Sequence, residues 1–109
     1  MESEPSKVIV VMVTTANQDD AAKIADHVVQ SRLAACASTM PTVRSTYRWE
    51  GKITTDQESL VLIKTTADKY LALQETILRL HSYKVPEIIA IPVIKGLPPY
   101  LEWVCRETF

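Results

Sequence analysis

Residues 43–53 read VRSTYRWEGKI and carry the pattern of a β-hairpin. Successive side chains of a strand point to opposite faces of the sheet, so the alternation assigns two sets of residues to opposite faces. One set is Val43, Ser45, Tyr47 and Trp49, and the other is Arg44, Thr46 and Arg48. Glu50 and Gly51 form the turn between the two strands. We therefore expect an antiparallel pair made of residues 36–49 and residues 52 to about 65.

The first strand of this hairpin contains Pro41, which has no N–H to donate and so marks a bulge or an edge strand. About 14 residues at roughly 3.4 Å each span close to 48 Å. A compact chain of this length has a diameter of only about 34 Å. The tip should therefore extend beyond the domain and expose Tyr47, Trp49 and Ile53. Exposed strand edges with aromatic residues favour pairing with other copies, so we predict a closed homo-oligomer with paired hairpins. The alternative is a shorter, twisted hairpin that folds back on its own sheet.

The segment before the hairpin predicts one strand and one helix. VIVVMV at residues 8–13 is a continuous run of apolar, mostly β-branched residues, which is typical of a strand buried on both faces. Asn17 is a suitable N-cap, and Asp19 and Asp20 follow in the first turn, where the helix dipole favours acids. Helical spacing then continues to about Arg32. The apolar positions of this helix are Ala21, Ile24, Ala25, Val28 and Val29.

The segment after the hairpin predicts a helix, a strand and a last short helix. Thr66 is a candidate cap and Asp68 falls in the first turn that follows it. The apolar stripe of this helix is Tyr70, Leu73, Ile77 and Leu80. EIIAIPV at residues 87–93 predicts a strand that stops near Pro92. Pro98 and Pro99 suit the start of a helix. That helix would carry Tyr100, Leu101, Val104 and Cys105 on its apolar side.

The resulting order is β-α-β-β-α-β followed by a helix. This is the α+β, ferredoxin-like split βαβ sandwich, in which one face of the sheet takes both helices. The chain has 109 residues, which predicts one domain over residues 7–109. Residues 1–6 lie in the polar, acidic segment MESEPSK, which predicts a short disordered tail.

The composition argues against several classes of partner. Twelve Lys and Arg against thirteen Asp and Glu leave no broad basic face for nucleic acid. We expect neither a membrane-spanning helix nor an N-terminal signal peptide, since the sequence has no apolar run of membrane-spanning length and its first residues are acidic and polar. Cys36 and Cys105 are expected to be free, buried thiols, with disulfide pairing as the alternative. These features predict a cytoplasmic protein. The two glycines exclude a phosphate-binding glycine loop.

Five stretches together resemble the CutA divalent-cation tolerance family. They are RLAACAS at 32–38, YRWEGKI at 47–53, LIKTTADK at 62–69, LHSYKVPEIIAIPV at 80–93 and GLPPYLEWV at 96–104. The residues that carry the pattern are Cys36, Trp49, Gly51, Lys64, Thr65, His81, Tyr83, Pro86, Glu87 and Tyr100. The resemblance implies a tight trimer similar to the nitrogen-regulatory PII proteins. This agrees with the homo-oligomer predicted from the hairpin, in which Tyr47, Trp49 and Ile53 would lie at the interface. It also implies tolerance of divalent metals, copper binding by family members and no enzymatic activity.

His81 is the leading candidate for a metal ligand, with help from Cys36 or Glu87 of the same or a neighbouring chain. A neutral imidazole and a thiolate suit Cu(II) or another divalent cation, and such an open site would bind weakly. The alternative is a structural histidine at the end of the second helix. The copper ligands proposed in some bacterial relatives are a cysteine that corresponds to Thr14 here and a histidine pair that reads Leu80-His81, so only one of the three is present. His27 is expected to be a surface residue, and Cys105 a core residue.

Lys64, Tyr83 and Tyr100 are predicted to line a cleft between subunits. Glu87 would pair with Lys64, either to stabilise the trimer or beside a small bound anion. This arrangement would suit a PII-like signalling or scaffold trimer that binds a small ligand or a partner protein. An acylphosphatase-type enzyme is disfavoured, because its anion-binding loop would be TTANQDD, whose two acids repel a phosphate.

Overall fold

The computed structural model describes residues 7–108, so the tail predicted at 1–6 lies outside the described residues. The elements are β1 Val8–Thr15, α1 Gln18–Gln30, β2 Cys36–Trp49, β3 Lys52–Thr66, α2 Tyr70–Leu80, β4 Ile88–Pro92 and α3 Pro98–Glu107. A short 3-10 turn at Ala67–Lys69 precedes α2. This order confirms the predicted βαββαβ arrangement with a C-terminal helix.

Within the described residues, the strands form one antiparallel sheet in the order β2-β3-β1-β4. The two central strands, β1 and β3, pair over their whole shared length, from Val8 opposite Thr66 to Thr15 opposite Ser59. These strands are rich in β-branched and apolar residues, which suits a position with neighbours on both sides. The edges of the sheet are β2, the first strand of the hairpin, and the five-residue β4.

The main core lies between one face of the sheet and the two helices α1 and α2, as the helical spacing predicts. Odd-numbered residues of β1 and β3 point to this face, and they meet the buried sides of both helices. Its buried members are Val11, Val13, Ala21, Ile24, Val28, Ala34, Val61, Ile63, Leu73 and Ile77. Two predicted core positions differ, because Val29 and Leu80 lie at the margins of their helices and are exposed.

The starts and ends of the first two helices follow local chemistry. The Asn17 side chain accepts a hydrogen bond from the backbone N–H of Asp20 at 2.8 Å, so the predicted cap is confirmed. The helix ends at Gln30, two residues earlier than expected, because Arg32 takes a left-handed conformation with φ of 61°. Thr66 precedes a 3-10 turn instead of capping α2. Its hydroxyl bonds the Asp68 carboxylate and lowers the pKa of Asp68.

Helix α3 covers one end of the opposite face of the sheet. A second small core forms there from Val8, Ala35 and Val104, with Leu101 packed against it. Cys105 is exposed, so its predicted core position is wrong. The reason is the helical period, which places Leu101 and Val104 on the buried side of α3 and turns the next residue away. None of the helices within residues 7–108 is long and apolar enough to cross a membrane.

The hairpin of β2 and β3 extends beyond the helices, as its length predicts. The molecule measures 51 × 28 × 22 Å along its principal axes, and no described residue between 43 and 58 belongs to either core. Pro41 lies at a break in the register between Met40 and Val43, which confirms the predicted bulge on an edge strand. Glu50 and Gly51 have positive φ and form a tight turn. Near the tip, Tyr47, Trp49 and Ile53 are 39%, 62% and 64% exposed.

Candidate functional site

The face of the sheet opposite α1 and α2 is apolar and largely uncovered. We call it the open face and define it by Val10, Met12, Leu62, Ile89 and Ile91. Strand pairing places Met12 between Leu62 and Ile89 in one row across the sheet. Ile89 and Ile91 remain about half exposed, at 49% and 47%. An apolar surface of this kind is typical of a protein–protein interface.

A polar cluster interrupts the open face where the hairpin begins. We call it the Lys64 cluster, made of Cys36, Ser38, Lys64 and Tyr100. Cys36 and Lys64 are direct partners across β2 and β3, and strand alternation places Ser38 on the same face. The Lys64 Nζ donates to Ser38 Oγ at 2.7 Å and lies 3.9 Å from Cys36 Sγ. A half-buried ammonium group is thus held by a hydroxyl and a thiol.

Tyr100, in the first turn of α3, completes this cluster. Burial raises the pKa of the Tyr100 phenol, and the nearby Cys36 sulfur raises it further. The ring also packs against Trp103, with ring centroids 5.6 Å apart. The phenol therefore stays protonated and can donate a hydrogen bond at neutral pH.

His81 connects the end of α2 to the central strand β1. Its Nε2 lies 2.7 Å from the Thr14 carbonyl oxygen, which can only accept, so this nitrogen carries the proton. Its Nδ1 accepts the backbone N–H of Tyr83 at 3.0 Å. The imidazole is therefore neutral in this arrangement, and both ring nitrogens are already occupied. A metal ion could bind His81 only by displacing one of these bonds.

Two tyrosine–carboxylate pairs follow along the hairpin. The Tyr83 hydroxyl donates to Glu58 Oε2 at 2.9 Å, and the Tyr47 hydroxyl donates to the Asp56 carboxylate. Burial, followed by the bond to Glu58, raises the pKa of Tyr83 to about 12. The bond to Asp56 is the main cause that raises the pKa of Tyr47. These pairs tie the 81–87 connector to β3 and brace the hairpin.

The Tyr83–Glu58 bond makes a prediction about stability at high pH. Because the pKa of Tyr83 rises from 10.0 to about 12 in the folded protein, its contribution is complete below pH 10 and disappears as the pH approaches 12. We expect Tyr83→Phe to be less stable than wild type at pH 8 by about 1 kcal/mol. The difference should vanish by pH 12, as followed by urea unfolding at each pH. A difference that stays constant over this range would contradict the assignment.

The structure separates the predicted ligands into distinct places. Within residues 7–108 no group of three or more His, Cys, Asp or Glu side chains could hold a metal ion, so His81, Cys36 and Glu87 do not form a site within one chain. The described part of the chain contains no ion pair between Lys64 and Glu87. Glu87 is exposed just before β4.

The three predicted cleft residues also fall into two groups within one chain. Lys64 and Tyr100 share the Lys64 cluster, whereas Tyr83 bonds Glu58, six residues and roughly 20 Å away along β3. Sequence reasoning overlooked Ser38 and Glu58. Ser38 was within reach, because alternation puts it on the same face as Cys36, but no sequence signal marks Glu58 as the partner of Tyr83.

Comparisons with known proteins agree on one family. A family model described as CutA1 divalent ion tolerance protein matches residues 9–107. The divalent-cation tolerance protein CutA of Thermus thermophilus is 42% identical over 99 residues, covering 91% of this chain and 96% of that protein. Protein CutA of Mus musculus is 45% identical over 104 residues, and the match spans 95% of this chain but 59% of the mouse protein. The crystal structure of CutA from Xylella fastidiosa has a TM-score of 0.92 and 43% identity, covering 95% of this chain and 100% of that one.

Proposed function

Because the chain belongs to the CutA1 divalent ion tolerance family, we propose that it serves metal tolerance as a non-enzymatic homotrimer that binds copper or another divalent cation weakly. The open face, an apolar sheet surface with half-exposed isoleucines, is the main support for the proposed homotrimer. Burial of such a surface contributes about 25 cal/mol for each Å² removed from water, from which the entropy lost on association is subtracted. The extended hairpin, with Tyr47, Trp49 and Ile53 near its tip, supports contacts between neighbouring subunits.

Weak metal binding is consistent with the surroundings of His81. A cation that takes Nδ1 must displace the Tyr83 N–H, and one that takes Nε2 must displace a proton and the bond to Thr14. Since one chain does not gather three ligands within its described residues, we propose that Cys36 or Glu87 of a neighbouring subunit completes the coordination. Cu(II) would bind best among the common divalent ions of the first transition row.

Calorimetric titration of Cu(II) into the metal-stripped, reduced protein tests this proposal. We expect saturable binding by wild type and its loss in His81→Ala, because the imidazole is the strongest candidate ligand. His27→Ala is the matched control, since His27 is exposed on α1 and should leave binding unchanged. Equal binding by wild type and His81→Ala, or none by either, would contradict a copper site at His81.

A second candidate is a PII-like signalling or scaffold trimer that binds a small ligand or a partner protein in its subunit clefts. The Lys64 cluster favours this alternative, because an ammonium group beside hydroxyl donors suits an anion more than a metal ion. For both candidates we propose a cytoplasmic location. The two free cysteines support this location, since thiols remain reduced there.

A further inference from the structure

We propose that Cys36, Ser38, Lys64 and Tyr100 form a binding site for a small oxyanion, a phosphate or a carboxylate. This site deepens the second candidate function by naming the ligand class, and it requires no metal bound at His81. Cys36 and Ser38 lie at the start of β2, an outermost strand of the sheet.

The positive charge of Lys64 is not balanced by a carboxylate among the described residues. The side chain is half-buried, and its row across the sheet contains Cys36, Val10 and Ile91. Covering this ammonium group in the proposed assembly without an opposite charge would be unfavourable, so a bound anion would restore the balance.

The cluster has a surplus of hydrogen-bond donors. An ammonium group has three N–H donors; two of them are directed to Ser38 Oγ and Cys36 Sγ, which leaves one for a ligand. Tyr100, in the first turn of α3, carries a phenolic O–H that is a further donor. The acceptors inside the cluster are the hydroxyl oxygens of Ser38 and Tyr100 and the weakly accepting Cys36 sulfur, and none of these groups is a carboxylate. Donors that lack partners select a ligand rich in acceptors, which describes a phosphate or a carboxylate.

The same geometry disfavours a divalent cation at Cys36. The Lys64 ammonium lies 3.9 Å from the sulfur, so a metal ion bound to this thiolate would meet a like charge at close range. At about 4 Å, two unit charges interact by roughly 4 kcal/mol at the dielectric typical of sites near a protein surface. Metal coordination by Cys36 in the proposed copper site would therefore require the Lys64 side chain to move away, whereas an anion would bind with Lys64 in place.

The test is a titration with inorganic phosphate followed by ¹⁵N–¹H NMR at constant ionic strength. We expect saturable shifts of the amides of Cys36, Ser38 and Lys64. Lys64→Gln should weaken the affinity at least about tenfold, as expected for loss of a charge-assisted hydrogen bond. Tyr100→Phe, which keeps the ring, should weaken it less. Lys23→Gln removes an exposed ammonium on α1 and serves as the matched control, with unchanged affinity.

Two results would overturn the proposal. One is a response to phosphate that is absent, unsaturable or equal in wild type and Lys64→Gln. The other is a loss of oligomer mass in Lys64→Gln while wild type ignores phosphate, which would mean that a carboxylate of another copy neutralises Lys64. Neither the phosphate titration nor the oligomer mass depends on copper. A negative result here would therefore leave the proposed copper site at His81 untouched, and the reverse also holds.

Discussion

Leu62→Glu is expected to convert the proposed homotrimer into folded monomers. Leu62 lies in the middle of the open face, between Ser38 on β2 and Met12 on β1. It belongs to neither core cluster, so the fold of one subunit does not depend on it. In an assembled trimer, each added carboxylate would be buried in the proposed interface, beside Met12 and Ser38, at a cost of several kcal/mol. The cost of burying three carboxylates exceeds the favourable free energy that the rest of an interface of ordinary size supplies.

Sedimentation equilibrium measures this effect directly. Wild type should show three times the chain mass of 12.2 kDa, and Leu62→Glu should show a single chain. Leu71→Glu is the matched control, because Leu71 is 71% exposed on α2, away from the open face. It should keep the wild-type mass. Circular dichroism of both variants separates dissociation from unfolding. A trimeric Leu62→Glu would show that the subunits meet through another surface.

The sequence was most informative where local chemistry and long-range packing demand the same conformation. The hairpin is an example. The alternation up to Trp49 predicts the strand, Glu50-Gly51 predicts the turn and Pro41 predicts the bulge, and the structure has all three. Helix α1 is similar, because its cap at Asn17 and its apolar spacing agree. Prediction was weaker at helix margins, where a turn of about 100° per residue separates a buried position from an exposed one. Leu80 and Cys105 were misplaced for this reason.

The candidate sites were harder to predict, because they depend on contacts between distant segments. The side chains at positions 81, 36 and 87 are types that can bind a metal ion. Within the described residues of one chain the fold does not bring them together, and their spacing in the sequence does not show this. The partners of His81 are backbone groups of Thr14 and Tyr83, and any residue type offers those groups. The Lys64 cluster was only partly visible, since its fourth member arrives from α3.

His81→Ala is expected to lower the free energy of unfolding by about 2 kcal/mol, since it removes two hydrogen bonds worth about 1 kcal/mol each. The two lost bonds join the connector after α2 to the end of β1. Strand β4 pairs with β1 only between Ile9 and Val13, so the Thr14 carbonyl lies beyond its end. His81 donates to this carbonyl and also accepts the Tyr83 N–H, which fixes the 81–87 connector against the sheet.

Urea unfolding of His81→Ala beside His27→Ala measures this contribution. His27 is exposed within α1, so its replacement should change stability by less than about 0.5 kcal/mol. Hydrogen exchange at the Tyr83 amide adds a local readout, because this N–H loses its acceptor only in His81→Ala. If the two variants unfold alike and Tyr83 remains protected, the imidazole does not hold the connector. Its nitrogens would then be free for a metal ion, and the case for a copper site at His81 would become stronger.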